Sequence, residues 1–180
     1  PTGICILPDS SKVYVTNNGS NTISIINTTT NSVTATLAVG IAPYGITPSS
    51  DGTKVYIANS GSNTVSVLNT SNNSFSIPYT TGGYPYSIAV NSLGSTIYVS
   101  NYTDFTVSAI NTLMGFSNTV PVGNYPAGMS FSEDESQLFV SCYGNDTMTV
   151  INTMMNFVSN RFTTGSGPLS FGNSVGAIPV

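Results

Sequence analysis

Few side chains in this sequence could perform acid–base or nucleophilic chemistry. The 180 residues include no His, three Lys or Arg and seven Asp or Glu, so only 6% are charged, against about 25% in ordinary soluble domains. Cys5 and Cys142 are the only thiols. A cysteine nucleophile needs a neighbouring base or another cause of a lowered pKa, and the usual base, histidine, is missing. We therefore predict free, buried thiols, no catalytic residues and no enzymatic activity.

The acidic residues form one dense cluster, Glu133-Asp134-Glu135. Calcium binds several carboxylate oxygens at once, so such a cluster could indicate a metal site. The cluster aligns, however, with a turn sequence elsewhere in the chain, Ser50-Asp51-Gly52, and no second spaced set of carboxylates accompanies it. Asp104 and Asp146 occupy equivalent loops of different repeats. We predict polar turns, no metal site and no cofactor.

Six asparagines fit the Asn-x-Ser/Thr acceptor pattern for N-linked glycans. They all fall in predicted turns, where Asn is also favoured by its own side-chain hydrogen bonds. If the chain is exported, sugar there would supply the hydration that charge does not. The predicted glycosylation candidates are Asn18, Asn27, Asn69, Asn72, Asn101 and Asn145.

Charge and hydrophobicity argue against two kinds of interaction, with nucleic acid and with the membrane interior. The net charge is −4, and the three cations, Lys12, Lys54 and Arg161, lie far apart in sequence, so no basic stripe exists to neutralise phosphates. No stretch approaches the roughly 18 consecutive apolar residues that a membrane span requires. We predict neither nucleic-acid binding nor membrane insertion.

An internal repeat organises the whole chain. Pro1, Pro43, Pro85, Pro126 and Pro168 recur at intervals of 42, 42, 41 and 42 residues. Four complete units span 1–42, 43–84, 85–125 and 126–167, and residues 168–180 begin a fifth. We treat residues 1–180 as one repeat domain.

Each unit has the sequence pattern of four short strands. In the second unit the predicted strands are Gly45-Ile46-Thr47, Lys54 to Ala58, Thr64 to Leu68 and Ser74 to Tyr79, separated by turn residues. Four strands in about 42 residues match one blade of a β-propeller. The predicted fold is therefore all-β, a propeller of four four-stranded blades plus one extra terminal strand.

The repeated residues resemble a known family. Tyr14-Val15-Thr16-Asn17 reads as the tetrapeptide of the YVTN β-propeller repeats, and Tyr56-Ile57-Ala58-Asn59 and Tyr98-Val99-Ser100-Asn101 are near copies, whereas the fourth unit has Phe139-Val140-Ser141-Cys142. The resemblance implies an extracellular or cell-surface protein, often of surface layers, and usually a ring of about seven blades. Four blades leave three arrangements open: a piece of a larger ring, a compact four-bladed ring, or a block in a repeating assembly.

The resemblance, the low charge and the unmatched terminal strand together favour a structural role. We predict a glycosylated surface-layer or filament subunit that self-associates, because a strand without its own blade exposes unpaired backbone groups. The predicted assembly residues are Pro168, Leu169, Phe171, Val175, Ile178 and Val180.

The alternative is a binding module for a carbohydrate or protein ligand. Cys5, Thr47, Ala89 and Ser130 would line its channel if the first strands are innermost. Tyr44, Tyr84, Tyr86 and Tyr125 cluster around the prolines that start the units and would lie on one rim. Tyr14, Tyr56, Tyr98 and Phe139 occupy one blade position and are predicted to lie in the core or to pack between blades.

Overall fold

The fold is an all-β propeller arc of four blades. The computed structural model describes residues 1–169, and each of its four antiparallel sheets has its strands in chain order. The prediction of four four-stranded blades is confirmed. The predicted extra strand lies outside the described residues apart from Pro168 and Leu169. The helical content of residues 1–169 is two short 3-10 turns, at 18–20 and 143–145, and none is long or apolar enough to cross a bilayer.

Each blade lies within one repeat unit. The first blade contains β1 (Ile4–Ile6), β2 (Lys12–Asn17), β3 (Thr22–Asn27) and β4 (Ser32–Ala38), and the second β5 (Pro43–Pro48), β6 (Lys54–Asn59), β7 (Thr64–Asn69) and β8 (Tyr79–Thr80). The third contains β9 (Pro85–Val90), β10 (Thr96–Asn101), β11 (Thr106–Asn111) and β12 (Ser117–Pro121), and the fourth β13 (Pro126–Phe131), β14 (Gln137–Cys142), β15 (Thr147–Asn152) and β16 (Phe157–Thr163).

The fourth strand of the second blade differs from its prediction. The sequence predicts a strand from Ser74 to Tyr79, but β8 comprises only Tyr79 and Thr80, and Phe75 makes a single isolated bridge to Leu68. Pro78 lies between these two paired points. Proline has no N–H to donate to a neighbouring strand, so the ladder is interrupted there.

The core is divided among the three junctions between successive blades. Each junction packs a tyrosine of the earlier blade, Tyr14, Tyr56 or Tyr98, against aliphatic side chains of the next blade, and these tyrosines are at most 2% exposed. Phe139, the equivalent in the last blade, is half-buried. The prediction that the tyrosines pack between blades is confirmed. The residues equivalent to Ile4 in later blades pack against the preceding blade. Ile4 itself is 70% exposed.

Hydroxyl groups at the third motif position join adjacent blades. The hydroxyl of Thr16 accepts from the Gly3 N–H at 2.7 Å and donates to the Tyr44 carbonyl of the next blade at 2.8 Å. In the third blade, Ser100 accepts from the Ser87 N–H at 3.0 Å and donates to the Ala127 carbonyl at 2.9 Å. These bonds fix the first strands of neighbouring blades relative to each other.

The asparagine at the fourth motif position joins two strands of its own blade. The Asn101 side-chain amide donates to the hydroxyls of Thr106 and Ser108, both at 2.9 Å, and Asn17 and Asn59 make the same pair of contacts in their blades. Cys142 replaces this amide in the fourth blade and contacts the Thr149 hydroxyl at 3.5 Å. The repeat therefore preserves a specific hydrogen-bonding role as well as a pattern of burial.

Aspartates close the turns between the first and second strands. Asp51 accepts from the Ser49 hydroxyl at 2.5 Å and from the N–H and hydroxyl of Thr53 at 3.0 and 2.9 Å. The hydrogen bond from Ser49, followed by those from Thr53, lowers the pKa of Asp51 below its usual value. Asp9 and Asp134 make similar turns, and hydrogen bonds likewise lower the pKa of each.

These turns predict that acid destabilises the fold. A carboxyl group whose pKa is lower in the folded state stabilises that state above its ordinary pKa of about 3.9, and this contribution is lost as the pH falls through the folded value. We expect the urea midpoint to fall between about pH 5 and pH 2, and Asp51→Asn to reduce that fall. Glu133→Gln removes an exposed carboxylate from the same class of turn and is the matched control; an equal effect of both variants would contradict this role for Asp51.

Candidate functional site

A groove runs along the inner edge of the arc. Adjacent blades approach each other at their first strands, where β1, β5 and β9 lie side by side. The groove between them has a volume of about 480 Å³, and its lining includes Thr2, Cys5, Tyr44, Thr47, Tyr86 and Ser87. None of the described lining residues is charged, so the groove presents hydroxyl groups and apolar surface.

Two tyrosines that line the groove contact each other. The rings of Tyr44 and Tyr86 lie 4.3 Å apart between centroids, and a 3.1 Å hydrogen bond joins their hydroxyl groups. Burial, followed by the hydrogen bond to Tyr44, raises the pKa of Tyr86 above its usual value. Tyr86 therefore remains protonated at neutral pH, and the pair offers neutral hydrogen-bonding groups beside an aromatic surface.

Glycines allow the close approach of strands that forms the groove wall. A Cβ atom at Gly45 would overlap the carbonyl oxygen of Tyr86 in the next blade, and one at Gly3 would overlap the carbonyl of Tyr44. Both obstacles are backbone atoms, which cannot rotate away. Glycine at these positions thus places Tyr44 and Tyr86 side by side.

The aromatic contacts continue from the groove across the rim. The Tyr86 ring stacks on Tyr102 at 5.4 Å, and Tyr102 contacts Tyr125 at 4.9 Å and Tyr84 at 6.0 Å. Phe105 meets Tyr125 edge to face at 5.1 Å. We call Tyr84, Tyr102, Phe105 and Tyr125 the rim platform. Tyr84 and Tyr125 are each 40% exposed, so the platform is accessible to a ligand.

The sequence-predicted rim residues are brought together, but two members were missed. Tyr44, Tyr84, Tyr86 and Tyr125 lie on one rim as predicted. Tyr102 and Phe105, in the turn after β10, complete the contacts between them. Both stand at positions occupied by polar residues in the first two blades, Asn18 and Ser60 for Tyr102 and Asn21 and Asn63 for Phe105, and this departure from the repeat was the available signal.

The channel prediction holds for two of its four residues. Cys5 and Thr47 line the groove. Ala89 is instead buried between the third and fourth blades, and Ser130 is half-buried on β13, outside the groove lining. The groove follows the first three blades, so equivalent positions in the repeat do not have equivalent surroundings.

Both cysteines are free thiols; Cys142 is buried as predicted, whereas Cys5 is half-buried. Burial raises the pKa of the Cys5 thiol to about 12, so it is protonated and unreactive at neutral pH. Cys142 is fully buried at the junction between the third and fourth blades.

The acidic cluster serves as a turn that also contacts a neighbouring blade. The Asp134 carboxylate accepts from the hydroxyls of Ser132 and Ser136, at 2.7 and 2.9 Å. The Glu135 carboxylate accepts from the N–H and hydroxyl of Ser92 at 2.7 and 3.0 Å. Residues 1–169 contain no group of three His, Cys, Asp or Glu side chains that could hold a metal ion.

One glycosylation candidate is inaccessible in the folded chain. Asn101 is 0% exposed at the end of β10, and its amide nitrogen donates to Thr106 and Ser108, so it does not lie in an accessible turn as the sequence predicts. Asn69, Asn72 and Asn145 are exposed, and Asn18 and Asn27 are half-buried. Modification of these five remains a prediction.

The predicted assembly residues are largely outside the part of the chain that the structure describes. Pro168 and Leu169 are its last two residues, and Leu169 is 47% exposed. Phe171, Val175, Ile178 and Val180 lie outside the described residues. Self-association therefore remains a prediction.

Comparison with known proteins identifies the fold. No protein-family model matches the chain, and no curated protein matches it in sequence. Among solved structures, Kuenenia stuttgartiensis hydrazine synthase is similar, with a TM-score of 0.82 and 22% identity over 89% of this chain and 48% of that one. Virginiamycin B lyase from Staphylococcus aureus gives a TM-score of 0.80 and 22% identity over 94% and 58%.

A third similar structure is a 6-phosphogluconolactonase-like protein from Bacteroides uniformis, with a TM-score of 0.78 and 15% identity over 94% of this chain and 56% of that one. The chain thus spans about half the length of these proteins. They share a β-propeller-like fold with it, and they are described as a synthase, a lyase and a lactonase. The prediction of a structural surface-layer or filament subunit is wrong, because these similar proteins are enzymes and not structural subunits.

Proposed function

We propose that these four blades form a substrate-binding portion of a β-propeller and hold a neutral, ring-shaped organic ligand in the groove. The observation that carries the proposal is the uncharged groove of about 480 Å³ beside the Tyr44 and Tyr86 pair. Its size falls within the range of about 300 to 1,000 Å³ that small-molecule sites occupy. It joins apolar walls to a few convergent hydroxyl groups, which is the usual composition of such sites.

The absence of charge from the described lining favours a neutral ligand. An ionic ligand would lose its hydration on entering and find no opposite charge in these walls. A ring-shaped ligand can place an apolar face against Tyr86 while its polar substituents reach Thr47 and Ser87. The proposed role of these blades is binding, and we assign no catalytic residue among them.

We also propose that the repeats are of the YVTN type. The four motif positions have distinct structural roles: the tyrosine packs against the next blade, the residue after it packs against the preceding blade where one is present, as Ile57 does, the threonine joins two blades and the asparagine joins two strands. The extracellular location and self-association predicted from the sequence stay proposals of the same kind.

Exchange of Tyr86 tests the binding proposal. Ala127 occupies the equivalent position in the fourth blade, so Tyr86→Ala introduces a residue that this blade position already accepts. Tyr86→Phe keeps the ring and removes the hydroxyl, and serves as the matched control. We expect Tyr86→Ala to weaken binding of a groove ligand about tenfold, and Tyr86→Phe to weaken it less.

The measurement is protein-observed NMR with neutral ring probes, namely cyclohexanol, benzyl alcohol and methyl β-glucoside. Binding in the groove predicts shifts at Tyr44, Thr47 and Ser87 in the unaltered chain, and weaker shifts in Tyr86→Ala. If all three probes leave these resonances unchanged, the groove does not bind neutral ring compounds and the proposed function is wrong.

A further inference from the structure

The rim platform places aromatic side chains at backbone positions with a positive φ, where the first blade has the smaller residues Ala42 and Asn21. The residue before each blade's first proline has a positive φ: 52° at Ala42, 53° at Tyr84 and 52° at Tyr125. The left-handed conformation is unfavourable for residues other than glycine, because the Cβ atom crowds the following carbonyl oxygen. Alanine serves at Ala42, so the exposed tyrosines are not needed to form the turn. Strained, exposed aromatics of this kind concentrate at binding sites.

Phe105 makes the same exception in the facing turn. In the first and second blades an asparagine occupies this position, with φ of 57° and 54°, and accepts from the backbone N–H of Ala42 or Tyr84 at 2.8 or 3.0 Å. Asp146 accepts from Gly167 in the fourth blade at 2.7 Å. Phe105 adopts φ 58° without any side-chain acceptor. An aromatic ring has replaced a stabilising hydrogen bond only where the platform lies.

The platform is held in place from below. A Cβ atom at Gly144 would overlap Cδ2 of Tyr125, so the loop after β14 lies directly against this ring. The Tyr143 N–H donates to the Tyr125 carbonyl at 3.1 Å. With Tyr102 on one face and Phe105 at its edge, Tyr125 has little freedom to lose when a ligand binds, which favours affinity.

Polar groups beside the platform define the chemistry of its ligand. Asp104 is exposed in the same turn, and one of its carboxylate oxygens accepts from the Gly83 N–H at 2.7 Å. The carboxylate is an acceptor for hydroxyl groups and repels anions, and the chain as a whole carries a net charge of −4. The exposed parts of the Tyr84 and Tyr125 rings, with an adjacent hydroxyl acceptor, suit the apolar face and equatorial hydroxyls of a sugar ring.

We propose that the rim platform stacks a pyranose ring of a neutral oligosaccharide whose neighbouring unit enters the groove. The inference rests on the proposed function and names its substrate class. Continuous aromatic contacts from Tyr44 through Tyr86 and Tyr102 to Tyr125 connect the two sites. Binding across both sites predicts a higher affinity for an oligosaccharide than for a single sugar unit.

The test is calorimetric titration of the full chain with cellohexaose, maltohexaose and chitohexaose, and with methyl β-glucoside for comparison. We expect at least one hexasaccharide to bind, and Tyr125→Ala to weaken it about tenfold. This variant should fold, because Ala42 has the same backbone conformation at the equivalent position before Pro43. Phe116→Ala, which removes a 73% exposed aromatic ring outside both the groove lining and the platform, is the control and should leave the affinity unchanged.

Phe105→Asn gives a second test that loss of folding cannot explain. It restores the asparagine of the first two blades, so we expect the urea midpoint to rise while hexasaccharide affinity falls. If no hexasaccharide binds but cyclohexanol or benzyl alcohol still shifts the groove resonances, the oligosaccharide inference is wrong and the proposed function stands. Unchanged hexasaccharide affinity in both Tyr125→Ala and Phe105→Asn would also overturn the inference.

Discussion

Truncation of Tyr98 to alanine is expected to destabilise the fold by about 3 to 5 kcal/mol. Tyr98 is 2% exposed and packs between the third and fourth blades, next to Ala89, Val107 and Leu138. Its hydroxyl donates to Asn156 Oδ1 at 2.8 Å and lies 3.2 Å from the Thr153 carbonyl, both in the fourth blade. Alanine would leave a cavity and would remove the hydroxyl donor of the Asn156 side chain. Urea unfolding measures the loss.

The conservative substitution separates the hydrogen bond from the packing. Tyr98→Phe should cost about 1 to 2 kcal/mol, because it leaves the acceptors of the fourth blade without their donor. Tyr14→Phe is the matched control: Tyr14 is 0% exposed, and its hydroxyl has no partner among the described residues. Its removal should be neutral or stabilising by about 1 kcal/mol. Equal losses in the two variants would contradict the role assigned to the Tyr98 hydroxyl.

Introduction of alanine at Gly45 is expected to separate the second and third blades at the groove. The new Cβ would overlap the Tyr86 carbonyl and lie 3.0 Å from the Ser87 Cα, so a backbone segment must move. Overpacking of this kind typically costs about 1 to 3 kcal/mol. Because Tyr86 belongs to the displaced segment, we also expect the groove to lose its ligand.

Gly19→Ala is the control for this substitution. A Cβ at Gly19 would have no atom within 4 Å, so its urea midpoint and its response to neutral ring probes should match those of the unaltered chain. A Gly45→Ala variant with unchanged stability and unchanged probe binding would show that the close approach of β5 and β9 does not determine the groove.

The blades could be predicted because the same residue types recur at the same positions of each blade and pack against the next blade in the same way. Recurrent prolines, tyrosines and asparagines marked equivalent positions, and burial of Tyr14, Tyr56 and Tyr98 follows from the stacking of one blade on the next. The short β8 was missed because the interruption at Pro78 belongs to one blade only. Repetition predicts what the blades share and says little about their individual differences.

The candidate site lies in those differences, and so it was predicted only in part. The clustering of tyrosines beside the blade-starting prolines indicated a rim surface, but the contributions of Tyr102 and Phe105 depend on loops that meet in space. Burial of Asn101 likewise follows from packing under Gly82 of the preceding blade. The residues that depart from the repeat, such as Tyr102 and Phe105, therefore indicate the site better than the residues that follow it.

The most direct test of the central claim is residue-specific NMR of all ten tyrosines during titration with cellohexaose, maltohexaose and chitohexaose. Our account predicts that one of these ligands shifts the ring resonances of Tyr44, Tyr86, Tyr102 and Tyr125 together, with a common dissociation constant, while the buried Tyr14, Tyr56 and Tyr98 remain unchanged. Shifts confined to other tyrosines, or no shift with any of the three, would contradict it.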